Sequence, residues 1–249
     1  MKNLIYIALT IVLLSCNGEN VPDCFQNSGA IVQQEFNVDT FDKITVFERV
    51  ELIVKDEPVQ KVVVETGEYL LNDVDVKVED GRLTLINNNS CNLTRDYGIT
   101  KVYVSAPNLT EIRNSSGLTV SSDGVLNYDH LKLISENYND KSASHTDGDF
   151  NLKVNCNRIN VVFNNLSSIY INGLVNNLGI VFASGDSRFE GANLIAQNIN
   201  IFQRSSNDMI VNPQQSLKGG IRGTGDVISL NRPPVVDVQE FYTGTLIFE

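Results

Sequence analysis

Apolar and polar residues alternate with a period of two along almost all of the chain after residue 20, and this stretch lacks the longer period of amphipathic helices. The runs 74–78 (VDVKV) and 102–104 (VYV) are clear examples. In an extended strand this period puts successive side chains on opposite faces of a sheet. Asp80-Gly81 lies between the run 74–78 and a further run at 83–85 (LTL), and this dipeptide is typical of a tight hairpin turn. The pattern therefore predicts an all-β protein made of short strands.

A unit of about twenty residues recurs from residue 110 onward. Each copy has a β-branched residue, then a short turn rich in Ser, Gly and Asn, then another strand. The leading residues of the copies are Ile112, Ile134, Val162, Val181, Ile201 and Ile221. One unit cannot bury its apolar side alone, but stacked units can, with each strand paired in parallel to the next. The repeat therefore predicts a solenoid of stacked coils, and a β-sandwich is the alternative.

The first residues predict export and lipid attachment. Lys2 precedes an apolar run from Leu4 to Leu14 that is too short to span a bilayer and suits a secretion signal. The run ends at Ser15-Cys16 and resembles the lipobox of bacterial lipoproteins, in which the chain is cut before a lipidated Cys. Two or more acyl chains anchor a protein firmly. The predicted order is a signal peptide (1–15), a tether lipidated at Cys16 (16–35) and a single domain (36–249).

Three further cysteines bear on the fold, because exported proteins enter a compartment where disulfides persist. With Cys16 lipidated, three pairings are possible. Cys156 lies in phase with the apolar residues of a strand, and a free Cys commonly behaves as a small buried hydrophobe. Cys24 lies in the tether and Cys91 in a polar loop. We therefore predict a Cys24–Cys91 disulfide and a reduced Cys156.

The charge balance excludes some partners. The chain has 19 basic and 30 acidic residues, a formal net charge of -11, and loss of the signal peptide removes Lys2 alone. Such a surface repels phosphate backbones, so nucleic acid is not expected as a partner. The chain has 2 His and no Trp, and it lacks Gly-x-Ser-x-Gly, paired Cys-x-x-Cys and phosphate-binding glycine motifs. The sequence therefore predicts no catalytic residues, no cofactor and no metal site.

The acidic loop at 139–149 is the best local candidate for cation binding. Its carboxylates and histidine are Asp140, His145, Asp147 and Asp149. Their spacing does not match a calcium-binding loop, and the glutamate that ends such a loop is missing. We interpret this segment as a solvated loop inserted between coils.

Asp129 and His130 form a second candidate pair. A histidine beside a carboxylate can act as a base. Adjacent residues of a strand point to opposite faces, so the sequence predicts that these two side chains do not form a dyad.

Tyr103 and Tyr170 are candidates for ligand binding. Each lies between two apolar residues that should point inward, so each Tyr should point outward. An exposed Tyr can stack on a sugar ring or anchor a protein partner. Packing against a neighbouring coil is the alternative.

Several motifs occur in an order and spacing that resemble a known family. They are Phe41-Asp42-Lys43-Ile44, Leu70-Leu71-Asn72-Asp73-Val74, the stretch 102–109 (VYVSAPNL), Gly223-Thr224-Gly225-Asp226 and Arg232-Pro233-Pro234. Over about residues 36–249 the chain is similar to the auto-transporter adhesin, head GIN domain family of secreted bacterial proteins. The resemblance implies an exported right-handed parallel β-helix, often a lipoprotein, and supplies no catalytic residues. The turns at 136–138, 164–166 and 203–205 lack the Gly-Ser-Gly usual in the family.

These observations predict a lipid-anchored protein of the cell envelope that acts as an adhesin or binding module without catalysis. Asn17 stands where an Asp would retain a lipoprotein in the inner membrane, which favours the outer membrane. The expected partner is a surface glycan or a protein. Two alternatives remain: a polysaccharide-active β-helix lyase or hydrolase, and a purely structural envelope protein.

Overall fold

The computed structural model describes residues 24–89, 91–93, 95–139, 143 and 145–249. The predicted signal peptide, Cys16 and Asp140 lie outside these residues. The described part is all-β, with one 3-10 turn at Leu71–Asp73, and no helix in it is long and apolar enough to cross a membrane. The strands are β1 Ile31–Phe36, β2 Lys43–Val46, β3 Glu51–Lys55, β4 Lys61–Gly67, β5 Val74–Glu79, β6 Arg82–Asn87, β7 Lys101–Ser105, β8 Glu111–Asn114, β9 Val120–Leu126, β10 His130–Ser135, β11 Phe150–Phe163, β12 Ser168–Phe182, β13 Arg188–Gln203, β14 Met209–Ile221, β15 Val227–Ser229, β16 Val235–Glu240 and β17 Leu246–Phe248.

These strands are hydrogen-bonded into one mixed, nearly closed sheet. The four longest, β11 to β14, pair in parallel with one another along most of their lengths. One series of consecutive partners is Phe150, Ile169, Phe189, Met209, Val227 and Leu246. Each turn of the chain therefore lies beside the next turn, 18 to 20 residues further on in this series.

Each turn contributes one segment to each of two faces. The first face contains β3, β9, β15, β17 and the N-terminal parts of β11 to β14. The second face contains β2, β8, β10, β16 and the C-terminal parts of β11 to β14, which are residues 158–163, 177–182, 198–203 and 216–221. A corner joins the two segments. In β11 it lies at the exposed residues Asn157 and Arg158, between inward-pointing Cys156 and Ile159.

The inward side chains of successive turns stack on one another and form the core. Phe163 and Phe182 occupy the same position in neighbouring turns, and their ring centroids are 5.6 Å apart. Phe150 packs on Phe163 at 5.4 Å. Fully burying a Phe side chain stabilises the fold by about 1.5–3 kcal/mol. The two-residue alternation seen in the sequence is what places these rings inside.

The turns recognised in the sequence repeat connect the second face to the first face. They lie in one row and are linked by backbone hydrogen bonds. Asp186 N donates to Asn165 O at 2.7 Å, and Ser206 N donates to Gly185 O at 2.9 Å. The recurring unit marks this row of turns, but its leading residues are register partners at only some steps: Val162 pairs with Val181, whereas Val181 pairs with Phe202 and not with Ile201.

One end of the molecule departs from the predicted, purely parallel stack. β5 and β6 form an antiparallel hairpin at Asp80-Gly81, where φ is 49° and 73°. β4 is antiparallel to both β1 and β7. β6 and β7 pair with β2 and β3 on the side opposite to β8 and β9, so stacking order differs from chain order. The added strands cover backbone groups that the edges of β2 and β3 would otherwise expose.

The N-terminal residues are tied to this end. Cys24 and Cys91 form a disulfide, the pairing expected from the sequence, and Cys156 is a buried free thiol whose pKa is raised by burial. β1 begins at Ile31, inside the segment assigned above to the tether. These residues are ordered because they pair with β4.

Candidate ligand-binding groove

The outward side chains of the second face lie in straight rows, because the turns are in register. The first row runs through Lys132, Asn160, Gly179, Asn200 and Lys218. The adjacent row contains Arg158, Asn177, Asn198 and Ser216. Neighbouring strands are about 4.8 Å apart, so the first row is about 19 Å long. Residues far apart in sequence therefore form one continuous surface.

A groove of about 590 Å³ follows the first row, and a hollow of about 350 Å³ adjoins it along the second row. Together we call them the basic groove. Its polar lining side chains include Lys132, Arg158, Lys218, Arg222, Asn160, Asn177 and Asn200. Gly179 lines both parts, and a Cβ at this position would lie 2.8 Å from Asn160 Oδ1. The missing side chain therefore keeps the middle of the groove open.

The charge of the basic groove is opposite to that of the whole chain. Among the described residues, its lining contains two Lys and two Arg but no Asp or Glu. Lys132 Nζ lies 3.7 Å from Glu111 Oε2, while Arg158 and Lys218 form no ion pair with the described residues. Asp237 is the register neighbour of Lys218 in the next turn, at the end of the groove. A local excess of positive charge remains along the second face.

Asparagine side chains without hydrogen-bond partners among the described residues lie between these cations. Asn160, Asn177 and Asn200 make no side-chain hydrogen bond to the described residues, and each amide offers both donors and an acceptor. Phe202 and Val181 form an apolar border and are each 37% exposed. The guanidinium carbon of Arg222 lies 3.8 Å from the ring centroid of Phe241 and 5.4 Å from that of Phe202. The groove thus combines positive charge, neutral hydrogen-bonding groups and an aromatic ring.

A further hollow of about 380 Å³ adjoins the basic groove at Val162. Glu136, Tyr138, Asn164 and Arg204 are among the residues that line it. Asn164 Nδ2 donates to Asn137 Oδ1 at 3.0 Å, but the buried Asn164 Oδ1 has no hydrogen-bond partner in the described part of the chain. Most buried polar atoms have a partner, so this oxygen is an exception within the described part of the chain.

The two predicted tyrosines lie on the first face and are not brought together. Tyr103 is half-buried on β7, and its hydroxyl donates to Glu65 Oε1 at 3.4 Å. Burial, together with the nearby Glu65 carboxylate, raises the pKa of Tyr103. Tyr170 on β12 is 47% exposed. β3, β9 and β11 separate the two strands, so they do not form one site.

The side chains of Asp129 and His130 do contact each other, so the strand alternation on which the prediction of no dyad was based does not hold here. His130 Nδ1 lies 2.6 Å from Asp129 Oδ2. Asp129 precedes the first residue of β10, so strand alternation does not apply to it. Both side chains are more than half exposed. The pair is a solvated surface contact.

The described residues of the acidic loop have local roles. His145 Nδ1 lies 3.4 Å from Asp147 Oδ1. Asp149 Oδ1 accepts a hydrogen bond from Ser168 N at 2.8 Å and so fixes the start of β12. Asp140 falls outside the described residues. Among those that are described, no group of three or more His, Cys, Asp or Glu side chains could hold a metal ion.

Sequence reasoning missed the basic groove. Its residues come from separate turns, and none forms a local motif. The signal was nevertheless present, because Arg158, Asn177 and Asn198 occupy equivalent positions in consecutive units. Aligning the outward residues of each unit, as well as the turns, would have revealed both rows.

The fold and the groove define an all-β protein with a nearly closed mixed sheet. Its outward side chains form rows of cationic and amide groups on the surface. A family model described as "Putative auto-transporter adhesin, head GIN domain" matches residues 40–233. The match covers most of the chain, so the protein belongs to this family. This agrees with the resemblance drawn from its motifs. None of the curated proteins matches the chain.

Several solved structures are similar. One is described as a putative adhesin from Bacteroides fragilis; it is 17% identical, with 90% of this chain and 99% of that chain covered and a TM-score of 0.78. Another, from Parabacteroides merdae, is also described as a putative adhesin, with 17% identity, coverage of 94% and 98%, and a TM-score of 0.59. A third is described as a putative lipid binding protein from Parabacteroides distasonis, with 13% identity, coverage of 89% and 97%, and a TM-score of 0.60. At these identities the likeness shows the fold alone.

Proposed function

We propose that the protein is a binding module of the outer membrane, attached through lipid on Cys16, that recognises a surface ligand and catalyses no reaction. Membership of an adhesin family supports a recognition role outside the cytoplasm. The lipobox-like Leu13-Leu14-Ser15-Cys16 supports the anchor. A disulfide between Cys24 and Cys91 suits an oxidising compartment.

The observation that carries the proposal is the set of polar side chains without partners on the second face. Arg158, Lys218 and Asn200 are directed outward and make no side-chain ion pair or hydrogen bond to the described residues. Polar side chains that stabilise a fold normally form hydrogen bonds or ion pairs with other residues of the same chain. Convergent polar groups in a concave surface are instead typical of a ligand site.

The proposed architecture is a right-handed parallel β-helix closed at one end by the antiparallel strands. Its support is the parallel pairing of successive turns from β8 and β9 onward. Parallel crossover connections are right-handed in about 98% of cases. A crystal structure should show right-handed winding, and left-handed winding would overturn this part of the proposal.

The anchor and the binding role can be tested together in cells that express the full chain. Wild-type protein should incorporate labelled fatty acid, remain with the outer membrane and increase adhesion to a glycan-coated or matrix-coated surface. Cys16→Ala should abolish labelling and release the protein, while Cys156→Ala should retain both label and membrane attachment.

Adhesion that is the same with and without the protein would contradict the binding role. Release of shortened polysaccharide, with or without Ca²⁺, would contradict the non-catalytic assignment. Fatty-acid labelling that persists in Cys16→Ala would contradict the proposed anchor.

A further inference from the structure

We propose that the basic groove binds an anionic polysaccharide laid across successive turns of the chain. This inference rests on the proposed binding function and names its ligand class. It concerns the second face and not Tyr103 or Tyr170 on the first face.

Charge complementarity is the first argument. Four cationic side chains line the groove, and no carboxylate of the described residues does, in a chain whose formal net charge is -11. Arg158 and Lys218 have no ion-pair partner among the described residues. Clefts lined by one sign of charge concentrate ions of the opposite sign, and guanidinium groups match carboxylate and sulfate oxygens well. The ligand should therefore carry repeated negative charges.

The neutral lining is the second argument. Asn160, Asn177 and Asn200 present free amides between the cations, and each can both donate to and accept from a hydroxyl group. Phe202 and Val181 provide an apolar border on which the C–H face of a sugar ring can pack. A sugar chain that carries acidic groups supplies all three partners at once: negative charge, hydroxyls and a weakly apolar face.

The shape of the groove is the third argument. The first row from Lys132 to Lys218 is about 19 Å long and crosses the strands, so an occupant must be extended. Gly179 leaves the middle of the row open, so a chain can lie over it.

Two other polyanions fit less well. Single-stranded nucleic acid binds where several aromatic rings stack with successive bases, whereas Phe202 is the one aromatic side chain in the groove lining of the described chain. Acidic peptides commonly bind by adding a strand to a free sheet edge. The groove lies on the face of paired strands and offers no such edge.

Binding of purified polysaccharides to the full mature chain, isolated in detergent, tests the assignment. The probes are polygalacturonate, heparin and neutral dextran, with polyglutamate and single-stranded DNA as competing polyanions. We expect the two anionic polysaccharides to bind, dextran not to bind, and binding to weaken as salt screens the charges. Arg158→Glu and Lys218→Glu should each weaken binding about tenfold or more.

The matched control is Lys153→Glu. Lys153 lies on the same strand as Arg158 but is exposed on the first face, and the substitution changes net charge equally. It should leave affinity within about twofold of the wild type. Equal losses in Lys153→Glu and Arg158→Glu would mean that net charge alone controls binding, and would overturn the groove assignment.

A steric variant provides a second test without a change in charge. Gly179→Val should block the groove, and its nearest contact is the movable Asn160 side chain, so the fold should persist. Loss of polysaccharide binding with an unchanged melting temperature supports the proposal. Unchanged binding overturns it.

The remaining outcomes separate this inference from the proposed function. If polyglutamate or DNA binds as tightly as the polysaccharides, the ligand class is wrong. If no polysaccharide binds but cells carrying the protein still adhere to matrix protein, the groove inference fails and the binding function stands. If cells do not adhere and nothing binds, both fail.

Discussion

Arg113 and Glu136 form the most deeply buried charged pair in the described chain. They are 7% and 3% exposed, and Arg113 Nη2 donates to Glu136 Oε1 at 3.1 Å. Glu136 Oε2 also accepts from the backbone N–H of Tyr138 and Asn139, at 2.7 and 3.0 Å. Burial alone would raise the pKa of Glu136, but these hydrogen bonds outweigh it and lower the pKa. The pair fixes the start of the loop that follows β10.

We expect Glu136→Gln to lower the free energy of unfolding by about 1–3 kcal/mol at neutral pH. Because the pKa of Glu136 is lowered in the folded protein, the stabilisation is present above the ordinary Glu pKa and is lost as pH falls through the lowered value. Wild type and variant should therefore converge in acid, as measured by denaturant unfolding. Glu79→Gln, in the exposed Lys77–Glu79 pair, should leave the free energy of unfolding nearly unchanged. Equal effects of the two variants would contradict this account.

At the scale of the strands, glycine is required where neighbouring turns approach most closely. Gly219 on β14 has φ of +126°, and a Cβ there would lie 2.0 Å from Ile201 O on β13. Gly124 on β9 also has a positive φ, +90°, but a Cβ there would have no atom within 4 Å. A substitution at Gly124 therefore adds backbone strain alone, whereas one at Gly219 adds both backbone strain and a clash between turns.

Gly124→Ala should cost about 1–2 kcal/mol, because the backbone conformation alone is disfavoured. Gly219→Ala should cost about 3 kcal/mol or more, since β13 and β14 must also move apart. Urea unfolding of both variants measures the difference. A Gly219→Ala protein as stable as Gly124→Ala would show that the turns are not packed as closely as described.

Local alternation predicted the strands and the inward positions, as the burial of Val154 and Cys156 shows. Alternation did not predict the corner at Asn157 and Arg158, where β11 passes from the first face to the second. Two consecutive polar residues are also found where a strand ends, so the sequence does not distinguish a corner from an end. The position of β6 against β2 was equally hidden, since that pairing joins residues outside the repeat. The groove was missed because it exists only once the turns are stacked in register.

The Cys24–Cys91 disulfide connects two distant parts of the chain. It joins residues 67 positions apart and secures the N-terminal segment to the end of the stack. In the chain-entropy model, losing it should lower the free energy of unfolding by about 4 kcal/mol. Cys24→Ser/Cys91→Ser and wild type in reductant should show the same loss.

Alkylation of the purified protein tests the thiol state directly. Under native conditions none of the described cysteines should react, because Cys156, the free thiol among them, is buried. After unfolding without reductant, mass spectrometry should find label on Cys156 alone. Label on Cys24 and Cys91 as well would contradict the disulfide.

The net charge of the chain does not predict the local charge of the groove. The formal charge of -11 argues against polyanionic partners, yet stacking gathers Lys132, Arg158 and Lys218 from three turns onto one face. At physiological salt the Debye length is about 8 Å, so a ligand in the groove is influenced mainly by nearby charges. The rows of side chains on each face therefore set the local charge that a ligand in the groove would meet.

Hydroxyl-radical footprinting of the mature chain, with and without polygalacturonate, tests the stacked binding surface most directly. Val181 and Phe202 border the groove on β12 and β13, whereas Leu174 and Ile195 are exposed on the first face of the same two strands. The account predicts that the ligand protects Val181 and Phe202 together and leaves Leu174 and Ile195 as reactive as before. Protection of Leu174 and Ile195 with Val181 and Phe202 unchanged would contradict it.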